Sequence, residues 1–219
     1  MATWISHMRI ADYFMKHYPE LNNIQFLVGN IGPDCGVPNE DWSVFTPSTQ
    51  ITHWNKGELK SEIDVEGFKK AYLQNKDEKY PFYLGYYFHL LTDIEWSKFI
   101  SIKKNEPLYA EGMEIDKVKF IWTAKKDWYG LDHVFLQEHG DFVFFTHFSK
   151  INEFPNLYLD YYSNDAFIRQ IKYITEFYFN GIKEEDPNRE FIYMSKDEMN
   201  NFVESTIDII KTMGGDLIC

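Results

Sequence analysis

"YLGYYFHLLTDIEW", residues 83–96, decides how this chain is read. Almost wholly apolar and aromatic, it reads as a buried helix, the central part of one expected over residues 81–100. His89 and Asp93 are four residues apart within it, which puts both side chains on one face, one turn from each other. A buried carboxylate beside a buried imidazole can be satisfied by a single hydrogen bond. It can also be half of a metal site, in which a cation offsets the cost of desolvating the carboxylate.

Outward from this helix the pattern stays helical. Residues 4–18 place Ile5, Met8, Ala11, Phe14, Met15 and Tyr18 at helical spacing, with Thr3 positioned to cap the start and Pro19 to mark the end. A short helix is expected over 65–75, another over 116–128 that continues across Gly130 to 138, and an amphipathic one over 164–181 that stops at Gly181. The last opens on Ser195 and Glu198 as a capping box and is expected to end at Gly214 and Gly215. Between the two halves, "KKNEPLYAEGMEID" at 103–116 reads as turn-rich. Residues 29–47 hold four Gly or Pro within their first eight positions and read as a long shaped loop, packed down by Trp42, Val44 and Phe45. Strand signals are weak: "DFVFFTHF" at 141–148 is the one good candidate and could equally be helical. The expectation is an all-α fold, a single-domain multi-helix bundle over residues 1–219.

Composition narrows the function classes. A content of 44% hydrophobic and 18% aromatic residues in 219 positions suffices for one large core. A formal net charge of −12 argues against a long nucleic acid, which is held mainly by Lys and Arg. Cys35 and Cys219 alone form neither a disulfide framework nor a thiolate metal site, and a reducing cytoplasm fits them. The opening "MATWISHMRIADYF" lacks the features of a secretory signal, and no stretch reaches the roughly 18 apolar residues of a membrane span. A soluble, cytoplasmic protein is expected, with its oligomeric state open.

Three of the seven histidines fall where carboxylates are also supplied: His7 on the first helix, His53 after the Asp34 loop, and His89 with Asp93. Imidazole with carboxylate is the ligand set of zinc or a related divalent transition metal. Spacing alone leaves open whether these residues meet. His17 and His139 stand at expected helix ends and His147 in an aromatic run, where structural roles are preferred, His147 as a core residue.

Four segments resemble the zinc-dependent phospholipase C family, whose fold and metal chemistry are shared with single-strand nucleases of the S1/P1 type. "SHMRIADYF" is similar to the family's first ligand helix and matches His7 to a ligand; "GNIGPD" is similar to the loop with the metal-binding Asp, matched by Asp34. "THW" resembles the Ser/Thr-His after that loop, matched by His53, and "FYLGYYFHLLTD" the central His-x-x-x-Asp helix, matched by His89 and Asp93. The matches run in order over residues 6–93, and little aligns beyond about residue 100.

The resemblance implies a helical domain of the phospholipase C and P1 nuclease type, with one or two Zn²⁺ ions, Mn²⁺ or Fe²⁺ being alternatives. Asp34, His53, His89 and Asp93 would form the stronger site, and His7 a second with Asp93 as bridge. It also implies a hydrolase of a small phosphoester or phospholipid headgroup, in which metal-bound water is deprotonated and attacks phosphorus while Asp34 receives the proton. The chain departs from the family in three places. Trp4 follows three residues where the family uses an N-terminal Trp; "IEW" stands where the helix would continue to another His; and His133 is followed four positions on by Gln137 rather than Glu, with Glu138 next. Asp132 and His133 are further ligand candidates. The rival expectation is a non-catalytic helical protein that keeps one metal to tie the Asp34 loop to the central helix. Trp122, Trp128 and Tyr129 are candidates for a cleft wall.

Overall fold

In the computed structural model, which describes residues 1–57 and 62–218, the helical spacing becomes an all-α architecture. The helices are α1 (Trp4–His17), α2 (Ile24–Gly29), α3 (Thr49–Thr52), α4 (Val65–Tyr72), α5 (Tyr80–Lys103), α6 (Pro107–Glu138), α7 (Val143–Thr146), α8 (Ala166–Glu184) and α9 (Lys196–Ile218). Val37–Pro38 (β1) pairs antiparallel with Phe45–Thr46 (β2), with Val37 opposite Thr46. No helix among the described residues is long and apolar enough to cross a membrane.

The helix α5 is the axis of the molecule. Its first half is buried on every side, from Tyr80 through Asp93 save for Pro81, so it shows little amphipathic contrast. Around it pack α2, α4, α9 and α1. The α2 crossing is the tightest: a Cβ on Gly29 would overlap the Phe82 carbonyl, and one on Gly85 the Phe26 carbonyl. The two backbones therefore touch only because both positions are glycine. This contact sets Asn30, at the end of α2, against His89.

At its start α1 is capped by Thr3, whose hydroxyl accepts from the Ser6 amide, and Ser195 and Glu198 bond reciprocally as the expected capping box. Several boundaries differ from the sequence reading. Helix α6 begins at Pro107, and its one break is Asp116 (φ −158°, ψ 94°), whose carboxylate caps the continuing segment at the Lys119 amide. The "DFVFFTHF" stretch is one helical turn and not a strand. Helix α9 runs past Gly214 and Gly215 because Leu217 and Ile218 are buried beyond them and Tyr80 donates to the Leu217 carbonyl. In the long loop Trp42 is 43% and Val44 58% exposed, so these two do not pack the loop down as expected; Trp42 adopts the left-handed conformation (φ 61°).

Candidate metal centre

Four separate elements bring five side chains to one place. His7 comes from α1, Asp34 from the 3₁₀ turn Gly32–Asp34, His53 from the residue that ends α3, and His89 and Asp93 from consecutive turns of α5. His53 Nε2 lies 3.3 Å from Asp34 Oδ1 and 3.4 Å from Asp93 Oδ2. His7 Nε2 lies 3.6 Å from Asp93 Oδ1, and His89 Nε2 lies 3.7 Å from Asp93 Oδ2. These are ion-pair distances, long for hydrogen bonds and not aligned as such. No side chain in the group is more than 6% exposed.

Outer partners turn these groups toward one another. The Asn30 carbonyl lies 2.8 Å from His89 Nδ1; a carbonyl only accepts, so Nδ1 carries the hydrogen and Nε2 faces the group with its lone pair. Thr52 Oγ1 lies 3.0 Å from His53 Nδ1. The Trp4 indole donates to Asp34 Oδ2 (2.9 Å) and the Ala2 amide to Asp93 Oδ1 (2.9 Å). What remains is a set of buried atoms without a hydrogen-bond partner: both nitrogens of His7, Nε2 of His53 and His89, Oδ1 of Asp34 and Oδ2 of Asp93. Two overlapping sets, His7 with His89 and Asp93, and Asp34 with His53 and His89, have ligand atoms within 4.8 Å of one another. Asp93 presents one oxygen toward His7 and the other toward His53 and His89, the disposition a bridging carboxylate requires.

Charge states match this donor set. Burial alone would raise the Asp34 carboxyl, but His53 beside it and His89 nearby outweigh burial and draw it down to about 2. Asp93 is likewise held well below the usual carboxylate range, against its own burial, by the chain's amino terminus and by His7 and His89. Burial, with His7 adding to it, pushes His89 down to about 3. Ionised carboxylates beside a neutral imidazole are the forms that ligate a cation.

Asp132 and His133 stand apart from both sets. Asp132 accepts from Thr3 Oγ1 (2.8 Å) and the Tyr178 hydroxyl (2.7 Å), so it braces the segment leading into α1, and burial pushes its carboxyl up to about 7. His133 lines a different cleft of about 520 Å³, 3.7 Å from Glu185. Gln137 donates to the Ile182 and Glu185 carbonyls and Glu138 pairs with Lys196, which leaves both in helix-packing roles. His17 and His139 bond the carbonyls of Tyr13 and Phe135, as expected for helix ends. His147 bonds Thr146 but is exposed, not a core residue.

Asp34 also lines a cleft of about 540 Å³ whose walls include Trp4, Trp42, Tyr129, Tyr173 and Phe177. Trp4 joins cleft and cluster, its indole bonding Asp34 while its rings meet Tyr173 and Phe177 edge-on at 5.9 and 5.8 Å. Trp122 and Tyr129 line this cleft, whereas Trp128 packs against Trp96 in the core. The sequence reading missed Trp4 as an orienting group, although it lies one turn before His7; it looked to the second-half helices for a cleft wall without naming Tyr173 and Phe177, which α8 supplies. Comparison with family models, with curated proteins and with solved structures finds no match to this chain.

Proposed function

We propose that this chain is a metal-dependent phosphoester hydrolase in which His7, Asp34, His53, His89 and Asp93 hold one or two divalent cations. Zinc is the first choice and Mn²⁺ or Fe²⁺ the alternatives. The reading is carried by the buried, unpartnered nitrogen and oxygen atoms that converge behind the cleft. Left empty, each such atom costs about 1–3 kcal/mol of unrepaid desolvation, which a cation would offset. The resemblance of residues 6–93 to the phospholipase C segments supports the reaction class.

A cation held there supplies a Lewis acid that acidifies a coordinated water and takes up charge developing on a phosphoryl group. The chain itself orients and handles the proton. Asn30 fixes the tautomer of His89. Trp4 holds one oxygen of Asp34, and that carboxylate, the cluster member that lines the cleft, is placed to accept the proton of the attacking water. Trp4, Tyr129 and Phe177 form a wall that limits bulk water beside it. The cleft suits a small phosphoester or lipid headgroup better than a polymer, in keeping with the charge of −12. The cysteine count fits a cytoplasmic setting.

The complete burial of His7 and His89 favours a second reading, a closed structural ion without turnover. The experiment that separates them is hydrolysis of bis(p-nitrophenyl) phosphate and of p-nitrophenyl phosphate by Zn²⁺- or Mn²⁺-loaded protein. Turnover lost in His89→Ala supports the hydrolase; equal background rates in both proteins leave only the structural ion.

A further inference from the structure

Among the described residues, the charged side chains that line the cleft besides Asp34 are Lys125 and Arg169. In a chain with 34 acidic and 22 basic residues, two basic side chains among the described lining run against composition. Arg169 lies on α8 with Tyr173 and Phe177 at successive fours, so the helix turns one face toward the cleft. Its guanidinium donates to the carbonyl of Cys35 (3.2 Å), the residue after Asp34, which anchors it beside the loop that carries the carboxylate. Its acidic partner Asp165, at 3.2 Å, has a side chain 66% exposed, and an exposed pair neutralises little. Lys125, on α6, lies 4.5 Å over the Trp122 ring. Aromatic walls beside these cations lower the effective dielectric and strengthen their attraction for an anion.

We infer that Arg169 and Lys125 make this cleft selective for phosphoesters that carry a further negative charge, with the monoester dianion on an apolar or aromatic body as the simplest case. The inference rests on the hydrolase reading for the reaction, and on the cleft alone for the anion preference. Diesters bear one charge, which the cluster itself takes; the second charge of a monoester needs a permanent cation nearby, and a guanidinium presents a fork of donors to it.

The test compares p-nitrophenyl phosphate with bis(p-nitrophenyl) phosphate, and calorimetric binding of inorganic phosphate with that of dimethyl phosphate, in zinc-loaded protein freed of excess metal. Arg169→Gln is expected to cut kcat/KM on the monoester about tenfold, mainly through KM, to weaken phosphate binding about tenfold, and to change the diester and dimethyl phosphate about twofold or less. Arg169→Lys should restore part of the loss, and Lys125→Gln should act in the same direction. An equal fall on both esters, or phosphate affinity indifferent to Arg169, overturns the inference. If the wild type cleaves neither ester, the hydrolase reading fails; phosphate binding then decides alone, supporting the anion site if Arg169→Gln weakens it tenfold and removing the site if not.

Discussion

The imidazole of His7 lies flat on that of His89, with ring centroids 3.7 Å apart and parallel planes. Both rings are sealed from solvent. Two imidazolium ions could not share this stack, and burial with the neighbouring His7 accordingly holds His89 at about 3.

The acid sensitivity of metal-free protein follows from this. The folded pKa of His89 is depressed below 6.5, so the unfolded chain binds the extra proton. The stabilisation is whole above pH 6.5 and is lost as pH falls toward 3. As pH falls from 6.5 toward about 5, the urea unfolding free energy of the wild type should fall relative to that of His89→Phe by up to about 1.4 kcal/mol per pH unit, the contributions of Asp132 and His133 being common to both proteins. An identical slope in the variant contradicts the buried neutral ring.

Asp132 works in the opposite direction. Its folded pKa is raised from 3.8 to about 7, so the folded protein keeps a proton that the unfolded chain has released. Stability from this group is full below pH 3.8 and is lost as pH rises to about 7. The difference in unfolding free energy between wild type and Asp132→Asn, followed from pH 4 to 8, isolates it. The variant should gain relative to the wild type as pH rises; a flat difference sinks the assignment.

Trp4→Phe keeps most of the aromatic packing against Tyr173 and Phe177 and removes the indole donor to Asp34. Loss of an outer hydrogen bond to a ligand typically costs 10- to 100-fold in affinity, so zinc binding should weaken by about that factor with little change in melting temperature. A competition titration against a chromogenic chelator reads it, and unchanged affinity would remove Trp4 from the site.

Gly85→Ala forces a methyl onto the Phe26 carbonyl and pushes α2 away from α5. A clash against backbone cannot be relieved by a rotamer change, and a loss of about 1–3 kcal/mol or more is expected in thermal unfolding. Because α2 also positions Asn30, the variant should lose zinc affinity as well. A melting temperature equal to that of the wild type would show that the helices can separate freely.

Much of this was legible in the sequence. Thr3, the capping box at Ser195 and the apolar run of α5 act locally, so α1, α5 and α9 could be placed from short windows. His7, Asp34, His53, His89 and Asp93 were named from residue types and a family resemblance; their meeting depends on the α2–α5 glycine contact and on α1 lying across α5, which no spacing records. The start of α6 was hidden because Pro107 and Gly112 read as breakers, although a proline in the first turn is tolerated there. The end of α9 was misjudged because burial of Leu217 and Ile218 outweighs the glycine pair. Arg169 carried no motif, and Trp4 was weighed only against the family's N-terminal Trp, since the roles of both come from what lies opposite them in space.

The central claim is that the cluster is a cation site, and metal content tests it most directly. Wild-type protein equilibrated with Zn²⁺ and dialysed should retain about one to two ions per chain by plasma emission, and Asp93→Asn, which weakens the carboxylate facing His7, His53 and His89, should retain fewer. Wild-type protein that retains none, or an Asp93→Asn variant that retains as many, would contradict the account.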